Sequence, residues 1–553
     1  MFKMHSRQIF TGTLVVLLVA LTPIAVTAQV RLDSRDVAAA VDGIRGERLR
    51  AHMRFLSDDL LEGRGTGTRG HDIAARYVAA QFEAMGLEAP LGRYLQPVPI
   101  RSGQVNAART SLERHRPGVP VRQLEYETDF LVTPDLLRTA HAIDAEVVFA
   151  GYCVSAPEFR HDDFKDADVK GKLVACLRGA PASLPQPAQS RFSAFEPKYK
   201  SLSDRGALGM VDMLTPESEK RAPWPVLVQA FSTAWMDWLD ANGNPGRNSQ
   251  PVHGSIALSP GVAADLFAGS SMHVAEARAR TDAGSLRPFD LGVRLRLRQA
   301  TEHADKPSAN VLGLLRGSDP VLRDEFVVYT AHVDHLGVGK EVNGDSIYNG
   351  ASDNAGGTAG LIEVARSFAT MAQRPRRSIL FVGVTGEEAG LAGSDYFVRH
   401  PPVAVGKIVA NINIDGIAAV HPSLADVVAI GGEYSTLGQA AQRAAERIGL
   451  ELSPDPAPER LYVIIGDQYS FFKAGIPAVW LISGDKSRDP SIEVRAFRQR
   501  WGATIYHTPA DDMAQSFNWT SAVLFTRIQF LIGYIVGNST ARPSWIGNQP
   551  IVR

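Results

Sequence analysis

The chain has 553 residues, 45% hydrophobic and 21% charged, with a formal net charge of −1. At roughly 150 residues per domain this length implies two to four structural units. The balance of charge excludes a basic surface built for nucleic acid and an acidic disordered tail.

The N-terminus stands apart from this soluble composition. Lys3 and Arg7 precede an apolar run from Ile9 to Leu21, followed by Pro23 and Val26-Thr27-Ala28. This is the charged, apolar and small-residue order of a secretory signal, with cleavage expected after residue 28. The run falls short of the ~20 residues a membrane-spanning helix needs. An uncleaved anchor is the alternative, and the absence of a nearby Cys argues against lipid attachment. The expectation is export to a periplasmic or extracellular location, with no stable membrane insertion after cleavage.

Residues 35–87 read as helices around a polar loop, SDDLLEGRGTGTRG. Ile73, Ala74, Tyr77, Val78, Phe82 and Met85 then recur at helical spacing, and Gly86 sits where a helix would stop. The Gly-rich loop follows no obvious strand and lacks a Gly-Lys-Ser/Thr ending, so it is not a phosphate cradle.

From about 126 to 285 the texture changes. Short β-type runs such as AEVVFAGYCV and KLVACLRG alternate with Pro, Gly and Asp turns. No His and carboxylate cluster with ligand spacing occurs there. This stretch reads as a β-rich accessory domain inserted into the main one, dividing the chain into 1–28 (signal), 29–125, 126–285 and 286–553. Cys153 and Cys176 lie in it and are the chain's two cysteines. Export permits a disulfide between them, and two buried thiols fit the sequence equally well. Two cysteines cannot build a cysteine-based zinc site, so any metal must be held by His and carboxylates.

From about 308 to 540 strands and helices alternate. SANVLGLLRG, EFVVYTAHVDH, RSILFVGVTGEE, KIVANINIDG and AVWLIS hold buried-strand runs, with helical spacing at 358–369, 389–399, 436–448 and 520–536. The pattern implies an α/β fold: a doubly wound, mostly parallel sheet flanked by helices. Such sheets carry their sites at the carboxyl ends of the strands.

The polar residues collect at those ends. His332, Asp334 and His335 follow one strand; Asp353 lies in the Gly-rich turn GASDNAGG; Glu387 and Glu388 follow RSILFVGV; Asp415 closes NINID; Tyr506 and His507 come later in IYHTPADD. Singly, each has an ordinary structural explanation as a turn former, a hydrogen-bonded residue or a helix-dipole partner. Packing gives no reason to gather two histidines and several carboxylates on one edge, where like charges repel. Divalent cations remove the conflict, and His with carboxylate oxygen suits zinc. Two histidines and three carboxylates exceed the roughly three protein ligands of one catalytic zinc and fit two metals ~3.5–4 Å apart.

On these five motifs and their order, the sequence resembles metallopeptidase family 28, the co-catalytic zinc aminopeptidases and their glutamate carboxypeptidase relatives. EGRGTGTRG and the helix after it resemble the N-terminal part of bacterial members. VVFAGYCVSAPEFRHDDF and VKGKLVACLRGAP resemble a protease-associated domain. The resemblance implies the zinc exopeptidase fold and two Zn²⁺ per chain. It implies that His332 and Asp415 bind one ion, Glu388 and His507 the other, and Asp353 bridges both. Asp334 would hold the His332 imidazole and fix its tautomer. Glu387 would be the general base, and Tyr506 would steady the oxyanion, although a packed aromatic explains Tyr506 equally well. Where many relatives read Ser-Asp-His before an aromatic, this chain reads Gly466-Asp467-Gln468-Tyr469, a difference that bears on specificity.

The implied activity is an exopeptidase acting on peptides, foremost an aminopeptidase. Glutamate-type carboxypeptidase or glutaminyl cyclisation is the alternative on the same scaffold. The former needs basic residues for the substrate carboxylate, with Arg488, Arg495 and Arg498 as candidates. A binding protein that has lost catalysis, as transferrin-receptor-like relatives have, should lack ligands, and this chain keeps every one.

Overall fold

A computed structural model describes residues 30–246 and 254–547. The expected signal segment lies outside the described residues. Two helices, α1 (Gly46–Leu56) and α2 (Arg69–Ala84), bracket the Gly-rich loop. α2 begins where Thr68 accepts from the His71 N–H, a side-chain N-cap. Its buried face is Ala74, Ala75, Val78 and Phe82, in line with the sequence periodicity.

The central sheet contains β1 (Leu95–Val105), β2 (Phe289–Leu315), β3 (Phe326–His332), β4 (Ser378–Val384), β5 (Ile408–Asn413), β6 (Asp426–Ile430), β7 (Glu451–Ser453) and β8 (Ala478–Ser483). Their spatial order is β7-β6-β8-β5-β3-β4-β2-β1. The middle four, β4, β3, β5 and β8, are parallel. β2 and β1 add on antiparallel at one side and β6 is antiparallel to β8 at the other. β3, β4 and β5 are buried at every residue, as expected of strands covered on both faces. One face is covered by α1, α2, α3 (Gly357–Ala369), α5 (Leu437–Ile448) and α7 (Trp519–Asn538); α4 (Ala392–Arg399) and α6 (Gln468–Lys473) pack on the other. α7 is long and apolar enough to cross a membrane by composition, yet most of it is buried in this core, where all-round apolarity is expected of a central helix.

The 27-residue β2 joins two units. Its second half pairs with β1 and β4. Its first half pairs with strands Ala140–Phe149 and Ser111–Arg116, in a second sheet continuing through Leu173–Leu177, Gly209–Met213, Ser255–Leu258 and Phe130–Val132. The chain therefore leaves the central sheet after Val105, sends the short strand Trp235–Trp238 back to pair with β1, and rejoins the sheet at Thr301. The β-rich unit is wider than the 126–285 expected from sequence, because its core includes Leu112 and Leu124 at one end and Leu295 and Leu297 at the other. The return strand carries Arg294, Arg296 and Arg298 on alternate positions, and Ser111–Arg116 is mostly charged or titratable, a polarity that reads as surface. Cys153 and Cys176 form a disulfide in this unit, with Cα atoms 5.4 Å apart.

Candidate metal centre

The carboxyl ends of β3, β4 and β5 open on the same edge. β3 ends in His332, whose main-chain carbonyl accepts from the Thr358 hydroxyl at the start of α3 (2.8 Å). Asp353 lies in an irregular turn before α3 with extended backbone angles (φ −114°, ψ 97°). That turn is held from two directions. Asp511 accepts from the Ser352 and Asp353 N–H groups at 2.9 and 3.0 Å. The Asn354 side chain accepts from Gly357 N–H (2.7 Å) and Gly416 N–H (2.9 Å), and donates to the Ile414 carbonyl (3.1 Å), tying the turn to the segment that carries Asp415.

Asp353 divides its two oxygens. Oδ1 lies 3.2 Å from His332 Nε2, and Oδ2 lies 3.0 Å from His507 Nε2. His332 Nε2 is also 3.4 Å from Asp415 Oδ1, and His507 Nε2 is 3.4 Å from Glu388 Oε1. Two atoms bound to one tetrahedral zinc at about 2.0–2.1 Å lie about 3.3 Å apart; these four separations surround that value. His332, Asp353 and Asp415 thus make one group able to hold an ion, and Asp353, Glu388 and His507 belong to a second that also contains His335. All five ligand residues expected from the sequence come together, and His335 joins them.

The electrostatics fit a cation site. Burial, with Glu388, Asp467 and Asp415 nearby, pushes the Glu387 carboxyl well above its ordinary range. Burial acts on Asp353 in the same sense, but hydrogen bonds from His332 and His507 outweigh it and hold Asp353 well below the usual range. Glu388, also buried, is held at about 2 by His335 and His507. Asp467, on the segment that departs from Ser-Asp-His, is fully buried with the Ser394 hydroxyl beside it, and burial raises it to about 7. So many enclosed carboxylates cannot all ionise without compensating positive charge.

The surroundings of Asp334 and Tyr506 add detail to the expected site. Asp334 holds the His332 imidazole, but with its main-chain carbonyl, 3.1 Å from Nδ1. Its carboxylate instead accepts from the Thr66 hydroxyl (2.8 Å) and the Glu387 N–H (3.3 Å). Tyr506 stacks its ring on His507, centroids 3.9 Å apart, and is 43% exposed, so it lies over His507 on the solvent side. The three arginine candidates are engaged elsewhere. Arg495 and Arg498 pair with Asp485 at 3.2 and 3.1 Å, and Arg488 donates to the Gly449 carbonyl at 3.2 Å.

Residues given no role from sequence complete the frame. Arg64 of the EGRG turn is 1% exposed and donates to the carbonyls of Val333 (2.9 Å), Asn349 (2.6 Å), Gly350 (3.0 Å) and Leu56. One guanidinium thereby fixes the segment after β3 against the turn leading to Asp353. The motif was visible as EGRGTGTRG, but carbonyl acceptors leave no mark in sequence.

Residues 310–532 match the model for peptidase family M28. That segment, about two fifths of the chain, is a peptidase family M28 segment. In fold, the chain is similar to an aminopeptidase from Aneurinibacillus sp. strain AM-1, with a TM-score of 0.52 at 17% identity over 90% of this chain and 94% of that one. In sequence, it is 26% identical to aminopeptidase YwaD of Bacillus subtilis (strain 168) over 213 residues, 38% of this chain and 40% of the relative. It is 29% identical to Transferrin receptor protein 2 of Homo sapiens over 248 residues, 43% of this chain and 27% of the relative. The chain therefore spans two fifths or less of the length of these curated relatives.

Proposed function

We propose that this chain is an exported, zinc-dependent aminopeptidase that removes single residues from the amino end of peptides. The observation that carries the reading is the division of the Asp353 carboxylate between two groups, His332 with Asp415 and His507 with Glu388. A carboxylate placed between two such groups suits a bridging ligand of two ions. His332 and Asp415 would hold one zinc, Glu388 and His507 the other.

When bound, two zinc ions supply Lewis acidity that activates water near neutral pH and polarises the scissile carbonyl. Glu387 lies outside the two Asp353 groups, in a third with His332 and Glu388, and its raised affinity for a proton suits a general base. It takes a proton from the attacking water and passes it to the leaving amine. Asp334 fixes the Glu387 backbone and the His332 ring from one residue. Tyr506, stacked on His507, would steady the oxyanion as substrate arrives. The engagement of Arg488, Arg495 and Arg498 with other partners favours an aminopeptidase over a glutamate-type carboxypeptidase.

The β-rich unit is proposed to be a protease-associated domain that limits access to the site. Its Gln186 and Arg221 donate to the carbonyls of Pro458 and Glu459 at 3.2 and 3.0 Å, and its Glu196 pairs with Lys473 at 3.2 Å. These contacts brace the segment that leads to Asp467 and Gln468. Export follows the reading of residues 1–28, and N-terminal sequencing of exported protein should find a start near Gln29.

The deciding experiment is a panel of aminoacyl and carboxy-terminal reporter substrates, assayed with and without a chelator. Cleavage of aminoacyl reporters, lost on chelation and restored by zinc, is expected. Preference for carboxy-terminal reporters, or no zinc bound after reconstitution, overturns the proposal.

A further inference from the structure

His335 belongs to the second ligand group but has no part in the function proposed above, on which this inference rests. Its side chain is fully buried, and Nδ1 lies 2.7 Å from Glu388 Oε1. The ring meets His507 edge to face, centroids 5.6 Å apart. Its place is built from two sides. The His335 N–H donates to the Arg64 carbonyl at 3.2 Å, and Gly65 bridges to His335. Gly350, at φ +57°, leaves the ring its room: a Cβ there would come within 2.5 Å of the His335 ring. The ring is thus fixed against Glu388 by the EGRG turn and a glycine, both remote in sequence.

The distance identifies the contact. Ligands sharing one tetrahedral zinc lie about 3.3 Å apart, and the other four His-to-carboxylate separations are 3.0–3.4 Å. The His335–Glu388 separation of 2.7 Å is shorter than all of them and lies in the range of a charge-assisted hydrogen bond. Nδ1 must then carry the proton, since the carboxylate only accepts. The tautomer agrees with the far side of the ring, where Nε2 is buried with no partner. A lone buried acceptor there is less costly than an orphaned N–H.

We propose that His335 is a positioning residue for Glu388. Its Nδ1–H holds one carboxylate oxygen and turns the group toward the site shared with Asp353 and His507. Hydrogen-bonded supports of this kind typically change metal affinity by about 10–100-fold when removed.

The test uses full-length protein and zinc alone, titrated against a chromophoric chelator, for wild type, His335→Leu and His335→Asn. His335→Leu should weaken one of two zinc sites by about 10–100-fold and leave the other unchanged. Asparagine places an amide N–H near the position of Nδ1, so His335→Asn should recover most of that loss. If the leucine variant does not fold, His335→Gln replaces it: its amide falls nearer Nε2 and should not rescue. Asparagine binding as weakly as leucine or glutamine would make His335 a direct ligand and overturn the proposal. So would a folded leucine variant with both sites at wild-type affinity. Wild-type protein that binds no zinc would instead refute the functional reading itself.

Discussion

The carboxylate of Asp334 accepts from the main-chain N–H of Glu387 at 3.3 Å, while the Asp334 carbonyl serves the His332 ring at 3.1 Å. One residue at the end of β3 thus supports a ligand with its backbone and the proposed base with its side chain. Asp334→Ala removes the second function and keeps the first. It should lower kcat by about 10–100-fold, the usual scale for a lost outer support, with both zinc ions still bound. Metal content and kcat at saturating zinc check this. Loss of a zinc with normal kcat once zinc is in excess would return the carboxylate to a role on His332.

The difference between that arrangement and the sequence reading has a physical origin. β3, β4 and β5 are buried throughout, so their apolar runs and the polar residues that end them were visible as pattern. Strand ends in such a sheet converge, which brings His332, Glu388 and Asp415 to one edge; Asp353 and His507 lie in turns, and the resemblance to the family supplied them. Which atom of Asp334 meets which neighbour depends on main-chain geometry that residue types do not encode. The same holds for Arg64, which works on carbonyls 269 to 286 residues away. The hairpin 111–124 carries little apolar signal, because Ser111–Arg116 is mostly charged or titratable and Val119–Leu124 is short and exposed at most positions.

The disulfide resolves a choice the sequence left open. Cys153 and Cys176 are 23 residues apart, and closing a loop of that size stabilises by about 3 kcal/mol in the chain-entropy view. Both cysteines lie in the inserted unit, away from the metal groups. A Cys153→Ala, Cys176→Ala double variant should melt at lower temperature, chiefly through that unit, and bind zinc as wild type does. Calorimetry with a parallel zinc titration measures both. Unchanged melting, with thiol titration showing the wild-type pair oxidised, would deny the bond a stabilising role.

Asp467 gives stability a pH dependence in metal-free protein. An unfolded aspartate ionises near about 3.9, whereas burial raises folded Asp467 to about 7. Between these values the folded state binds more protons, so stability falls as pH rises from about 4 to about 7 and levels off above. The full effect is on the order of 4 kcal/mol. Asp467→Asn should remove this contribution, so the variant gains melting temperature over wild type at pH 8 and not at pH 4. An equal difference at both pH values would show that Asp467 does not titrate in this window.

Glu387 and Glu388 are adjacent, chemically alike and separated in role by what each touches. Glu388 contacts His335 at 2.7 Å and His507 at 3.4 Å, within the second ligand group. Glu387 has its backbone fixed by Asp334, and its carboxyl is held well above the ordinary range by burial. Two side chains one residue apart diverge, so one can face an ion while the other faces the attacking water. Glu387→Gln keeps shape and removes basicity. It should retain both zinc ions while kcat falls by about 10²–10⁴-fold, the typical cost of a lost general base. Glu388→Gln should instead weaken one zinc site, and excess zinc should relieve part of its defect. Metal content and kcat for each variant across zinc concentrations separate the two. If Glu387→Gln loses a zinc and is rescued by adding it, while Glu388→Gln keeps both and stays inactive, the roles are reversed and the ligand group around His507 must be redrawn with Glu387 in it.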